Sequence, residues 1–160
     1  MQVVAAEDWA GWRALRLAAL AEAPDAFSST LADWTGAGDT EERWRARLSG
    51  VPFNVVASFD GQPAGMVSGT LPDGSGAAEL LSTWVSPAAR GHAVGDALVE
   101  AVIGWASDQM AGRLRLGVRE ANEHAIALYR RHGFIDCGPY LDGHGQSPPE
   151  REMVRHLDAS

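Results

Sequence analysis

Two spacings of apolar positions alternate along this chain, and each switch between them marks an element. Residues 2–5 read as a short first strand. Trp9, Trp12, Leu15 and Ala19 then recur every three or four residues behind the acidic pair Glu7–Asp8, which predicts a helix ending before Pro24. The segment 24–30 (PDAFSST) reads as a turn with a short helix or loop. Asp39 or Thr40 caps a second helix, 40–50 (TEERWRARLSG), closed at Gly50. After it the period shortens. Residues 54–59 and 64–71 are strands joined by the hairpin signal Asp60-Gly61, and a turn at 72–76 leads into a strand at 77–85. Val94, Ala97, Leu98, Ala101, Val102 and Trp105 restore helical spacing. A strand at 113–118, a helix at 120–132 closed by Gly133, a strand at 134–140, a Gly/Pro loop at 142–149 and a last strand at 150–157 complete the chain. Strands first and then alternating strands and helices predict a single α/β domain over 1–160. Its mixed central sheet has about six to seven strands, flanked by about four helices.

Composition narrows the class. A chain of 160 residues, 46% hydrophobic and 21% charged, buries a core without staples. A net charge of −8 argues against a nucleic-acid surface. The single cysteine, Cys137, excludes an internal disulfide framework and a multi-cysteine metal site; the bland expectation for it is a small buried hydrophobe. His144 and His156 have no ligand-like partners at fixed spacing, so no metal is expected. No run approaches a membrane span, and the start MQVVAAEDW lacks the basic and apolar regions of a signal peptide; a reducing, cytoplasmic location is the expectation.

The most informative stretch is 79–106, ELLSTWVSPAARGHAVGDALVEAVIGWA. Its apolar strand breaks at Pro87, and Arg90, Gly91, Ala93 and Gly95 fall where a loop becomes the first turn of a helix. Unpaired backbone N–H groups and the positive end of the helix dipole favour an anion there, and missing side chains admit a phosphate. The bland alternative is a turn with glycines kept for packing. No Gly-Lys-Ser/Thr follows, so this is not a P-loop, and the spacing from strand to glycine is a poor dinucleotide fingerprint. Asp96 suits the dipole but repels phosphate.

A second stretch, 122–134 (NEHAIALYRRHGF), sets Asn122, Ala125, Ile126 and Tyr129 along one helix flank. Two readings stand for it: Asn122 as N-cap or surface residue with Tyr129 a core aromatic, or both as site residues. Arg130 and Arg131 complement the helix C-terminus, as does His132; His92 is expected to be exposed.

Together the two stretches resemble the GNAT superfamily of acetyl-CoA-dependent N-acetyltransferases. TWVSPAARGHAVGDALV is similar to its acyl-CoA motif, V-x-P-x-x-R-G-x-G-x-G, and NEHAIALYRRHGF to its N-x-x-A-x-x-L-Y-x-x-x-G-F motif. The resemblance covers 79–138. It implies acetyl-CoA as cosubstrate, with its pyrophosphate on the backbone amides of Arg90, Gly91, His92, Ala93, Val94 and Gly95. Its pantetheine arm would lie along the backbone of Trp84 and Val85, with further contacts at Asn122, Ala125 and Tyr129. It implies two central strands that splay after a bulge, and Tyr129 as the acid that protonates the leaving thiolate. Glu79 falls where several members carry a carboxylate base; a solvent-facing strand-end Glu is the competing reading, and Ser82 and Thr83 are alternative water-holding groups. Ala93 stands where the family commonly has Gly. One methyl is tolerated there if the residue keeps helical φ and turns from the phosphate, with weakened binding expected.

On the acceptor side the resemblance points to Phe27, Ser28 and Trp34, with the loop 142–149 as a further wall. The acceptor would be a primary amine of a small molecule or peptide. An acidic cleft would favour a cationic amine, although net charge does not locate the acids. A homodimer is an expectation from the family alone. The rival from another class is a non-catalytic acyl-CoA-binding regulatory module.

Overall fold

A computed structural model describes residues 1–24, 30–140 and 150–157. It contains strands β1 (Gln2–Val3), β2 (Phe53–Phe59), β3 (Gln62–Gly69), β4 (Ala77–Val85), β5 (Arg113–Arg119), β6 (Ile135–Pro139) and β7 (Glu150–His156). Its α-helices are α1 (Trp9–Glu22), α2 (Glu41–Gly50), α3 (Val94–Asp108) and α4 (Glu123–Arg131). The strands form one sheet in the order β1-β2-β3-β4-β5-β7-β6. Every neighbouring pair is antiparallel except β4 with β5.

Strand alternation sends neighbouring residues to opposite faces, and each face has its own core. Val55, Ala57, Val67, Leu80 and Leu114 pack with Leu98, Val99 and Val102 of α3 and with Tyr129 of α4. On the other face Val4, Met66 and Trp84 pack with Trp12, Leu15, Ala19 and Leu20 of α1 and with Trp44 and Leu48 of α2. The i, i+3, i+4 spacing of the tryptophans and leucines on α1 and α2 is what turns those helices onto the sheet.

Local chemistry sets the boundaries. Asp60 and Gly61 both take positive φ, 53° and 78°, as a tight hairpin with the right twist requires. Thr40 caps α2 by accepting from the Arg43 N–H at 3.2 Å, and Gly133 (φ 85°) follows the end of α4. The helix expected from residue 120 begins only at Glu123, because the Asn122 side chain accepts from the Ala125 N–H at 3.2 Å and fixes the start. One expectation fails: Cys137 is exposed. It lies on β6, an edge strand whose register shifts between Asp136 and Gly138, so alternation there no longer directs a side chain inward.

Two irregularities in the middle of the sheet position everything that follows. β4 and β5 pair only over Ala77–Glu79 and Arg113–Arg115 and then part. On its other side β4 carries a bulge: Ser68 pairs with Leu81 and Met66 with Trp84, so Ser82 and Thr83 together oppose Val67. Ser82 takes φ 59°, an uncommon conformation for a serine that costs on the order of 1–3 kcal/mol. The bulge also switches parity. Ala78 and Leu80 before it, and Val85 after it, all reach the α3 face.

Candidate active site

Among the described residues, the parting of β4 and β5 leaves the β4 edge from Leu80 to Val85 without a strand partner on that side. The direction of its amides follows from one bond. The Ser86 N–H donates to the Ala64 carbonyl of the β3 side at 2.7 Å. In an antiparallel ladder the groups of successive residues point to alternate sides, so the Val85 N–H faces the gap. A cleft of about 1710 Å³ opens along this edge and runs from the tryptophans of α1 and α2 to the start of α3.

At the α3 end, Gly91 (φ 83°) and Ala93 (φ 62°, ψ 18°) both take the left-handed conformation, and Ala93 is the N-cap residue. The condition of helical φ at Ala93 is therefore not met; the chain has to reverse here before entering α3, and alanine does so under strain. The first N–H to close a helical bond is that of Ala97, onto Ala93 O at 3.1 Å, so those of Val94, Gly95 and Asp96 precede the helical ladder. Gly95 has a packing duty as well: a Cβ there would stand 3.2 Å from Leu128 Cδ2 of α4. The Arg90 guanidinium turns away from this turn. It donates to Val85 O at 3.1 Å and pairs with Glu22 at 2.8 Å, while the Trp84 indole N–H donates to the same carboxylate at 2.9 Å. These bonds, first that of Trp84, hold the Glu22 carboxyl below its ordinary value and tie the end of α1 to the loop. Asp96, the residue expected to repel phosphate, is neutralised from α4. His132 Nε2 lies 2.8 Å from its Oδ1 and Arg131 3.2 Å, and both, His132 foremost, keep the carboxyl below its ordinary value.

Of the residues singled out by sequence, Trp84, Val85, Arg90, Gly91, Ala93, Val94 and Gly95 line the cleft on one side. Asn122, Ala125 and Tyr129 line it from α4, and Trp34 lines its far end. His92 is exposed and its ring lies tilted against Phe59, centroids 4.5 Å apart, outside the lining. Phe27, Ser28, His144 and the loop 142–149 lie outside the described residues. Asn122 serves as N-cap through Oδ1, which leaves its amide nitrogen for other contacts. Tyr129 is buried against Phe134, and burial pushes its hydroxyl above the ordinary value. The neighbouring Thr83 hydroxyl pulls the other way by less than burial does.

Glu79 stands at the vertex of the fork, on the last paired residue of β4, and is half-buried rather than solvent-facing. Its carboxylate is paired with Arg115 across the strand pair and accepts from the Tyr140 hydroxyl at 3.3 Å; Arg115 also pairs with Glu152 of β7 at 2.9 Å. The side chain is not part of the cleft lining.

Several lining residues had not been singled out. Tyr140 lies on Gly117 of β5, where a Cβ would meet its ring at 3.0 Å. Glu150 opens β7 with its side chain buried, 3.8 Å from Arg119. Arg16 and Arg47 are the most telling. Each sits on the core-facing stripe of its helix, Arg16 four residues after Trp12 and Arg47 three after Trp44, and a cation in such a stripe was a legible signal.

A family model described as the acetyltransferase (GNAT) family matches residues 14–134. The mycothiol acetyltransferase of Salinispora tropica is 32% identical over 135 residues, which are 82% of this chain and 42% of that protein. The chain spans less than half the length of the curated relatives it matches. Among solved structures, an acetyltransferase of the GNAT family from Streptococcus pneumoniae superposes with a TM-score of 0.79 at 22% identity, covering 98% of both chains. yncA of Salmonella typhimurium, solved with its cofactor acetyl-CoA, superposes with a TM-score of 0.74 at 20% identity, over 98% of this chain and 92% of the other. These two likenesses concern the fold.

Proposed function

The chain belongs to the GNAT acetyltransferase family, and from that premise we propose that it transfers the acetyl group of acetyl-CoA directly to a primary amine. The observation that carries the proposal is the unpaired β4 edge, bulged at Ser82, running toward the first turn of α3 within one cleft. An extended, amide-bearing arm adds to such an edge as a strand would, and a pyrophosphate suits the helix start. The left-handed turn at Gly91 and Ala93 and the pairing of Asp96 with His132 and Arg131 support that fit.

Acetyl-CoA, when bound, supplies the acetyl group as an activated thioester. The protein's own part is positioning and proton management. The Val85 N–H is the donor proposed for the thioester carbonyl, where charge develops as the amine nitrogen bonds to the carbonyl carbon and the carbon–sulfur bond breaks. Tyr129 gives its hydroxyl proton to the departing sulfur. Its burial, which raises its pKa, keeps that proton in place until a thiolate accepts it. The amine must lose a proton, and Glu79, set back from the cleft beside Arg115 and Tyr140, would take it through water. Asn122 and Ala125 would hold the arm from α4, and Trp34 would border the acceptor.

One observation favours the rival, a non-catalytic acyl-CoA-binding module: the carboxylate proposed as base is already engaged by Arg115. Calorimetry with acetyl-CoA and thiol release with an amine panel separate the two. Binding without release on any amine selects the rival, and no binding at millimolar acetyl-CoA removes both.

A further inference from the structure

The bulge in β4 decides which amide the open edge presents. Glu79 O accepts from the Thr70 N–H, so the backbone groups of residue 79 face β3. Unbroken alternation would carry that direction through 81 and 83 to 85, and Val85 would turn its N–H toward β3. The extra residue shifts the count by one. Ser86 binds β3 instead, and Val85 faces the gap. The donor proposed for the thioester carbonyl therefore exists only while Ser82 and Thr83 together oppose Val67.

That arrangement sets a serine at φ 59°, a conformation that glycine adopts freely and serine does not. A side chain from outside the sheet meets it there. Arg47, in the last turn of α2, donates to Ser82 Oγ at 3.4 Å. The same guanidinium donates to Ser68 Oγ at 3.1 Å and to Asn54 Oδ1 at 3.0 Å, so it spans β2, β3 and β4. Its anchorage is itself fixed. Asn54 and Ser68 are both buried, the Ser68 hydroxyl donates to Asn54 Oδ1 at 2.7 Å, and Asn54 Nδ2 donates to Val51 O at 2.7 Å. The Trp12 ring of α1 lies against the guanidinium, its centroid 5.3 Å from the central carbon. Buried polar groups joined in this way resist rearrangement, because each bond broken leaves a partner unsatisfied away from water.

We propose that Arg47 is a positioning residue for acetyl transfer: by holding Ser82 in its left-handed conformation it fixes the bulge, and with it the aim of the Val85 N–H. The inference rests on the acetyl-transfer reading above and deepens it. It gives α2 a part in the chemistry, although α2 packs on the face of the sheet opposite α3 and α4. The side chain acts through the strand it holds.

The test is a double-mutant cycle between positions 47 and 82. It is read by thiol release from acetyl-CoA over an amine panel, by calorimetry with acetyl-CoA, and by amide hydrogen exchange over 80–86. Arg47→Met, which keeps an apolar stem, is expected to lower kcat by about 10- to 100-fold, the scale of a group misplaced by about 1 Å, with acetyl-CoA affinity within about threefold. Glycine needs no support at positive φ, so in a Ser82→Gly background the same change should cost less than about threefold. Ser82→Ala loses the hydroxyl but keeps the backbone cost, and its kcat should fall about 10-fold below that of Ser82→Gly. That pair leaves Arg47 joined to Asn54 and Ser68, so it decides the question even where Arg47→Met does not fold. Exchange over 80–86 should quicken by about 10-fold in Arg47→Met and Ser82→Ala. A loss at position 47 that is equal in both backgrounds, as from an arginine that only touches the amine or only stabilises the fold, overturns the inference. Equal kcat in Ser82→Ala and Ser82→Gly overturns it too. Acetyl-CoA binding without thiol release on any amine removes the acetyl-transfer reading instead, and the exchange rates then decide whether Arg47 holds the bulge.

Discussion

Ala93 offers a sharp test of how the loop before α3 is built, because the nearby Gly91 provides the opposite substitution. Both residues take left-handed φ, 62° and 83°. An L-residue there costs about 1–2 kcal/mol relative to its right-handed conformation. Replacing alanine by glycine relieves that strain but adds about 0.5–1 kcal/mol of unfolded-chain entropy. Ala93→Gly should therefore stabilise by about 0.5–1 kcal/mol, and Gly91→Ala should destabilise by a similar amount. A Cβ at Gly91 meets nothing within 4 Å, so its penalty is conformational rather than steric. With a urea slope of about 2 kcal/mol per molar, the two midpoints move in opposite directions by about 0.3–0.5 M. Acetyl-CoA affinity, measured by calorimetry on the same variants, should rise a few-fold in Ala93→Gly, since a methyl leaves a loop proposed to approach phosphate. A lower urea midpoint for Ala93→Gly, or an unchanged one for Gly91→Ala, would refute the strained-turn reasoning.

Three further outcomes follow from the site. Tyr129→Phe should lower kcat by about 10²–10⁴-fold with little change in acetyl-CoA affinity; an unchanged kcat removes Tyr129 from the acid role. Glu79→Gln should lower kcat with little change in acetyl-CoA affinity, and an unchanged kcat would pass the base role to another group, with Glu150→Gln the next variant to measure. Asp96→Asn should destabilise by roughly 0.5–1 kcal/mol at pH 7, measured by urea unfolding. An acid whose native pKa is depressed contributes stability above its ordinary value of about 3.9 and loses it as pH falls through the native value. The gap between Asp96→Asn and wild type should accordingly hold from pH 5 to 7 and close below about pH 4; a constant gap would mean the pairing with His132 and Arg131 is not its source.

Much of the fold was legible because its causes are local. The apolar periods of α1, α2 and α3, the Asp60-Gly61 hairpin and the cap at Thr40 act over a few residues, and each element lies where they placed it. Cys137 escaped for the complementary reason: burial on a strand depends on what lies across it, and β6 is an edge. One side of the cleft was legible as well, since the strand, the turn and the α3 start that line it are contiguous in sequence.

The far end of the cleft was not. Arg16 and Arg47 come from different helices, 31 residues apart in number, and nothing near either one reveals the other. Only the packing of α1 and α2 on one face of the sheet brings both into one cleft, with Arg47 against the bulge at Ser82. The bulge itself depends on the register between β3 and β4, a long-range property that no run of letters encodes. Sequence alone determined the elements, products of short-range periodicity and backbone chemistry, and carried two motifs whose resemblance implied the family. Tertiary structure decided the open edge of β4 and the surroundings of Arg47, because it decided which strands part and which side chains a half-buried cation meets.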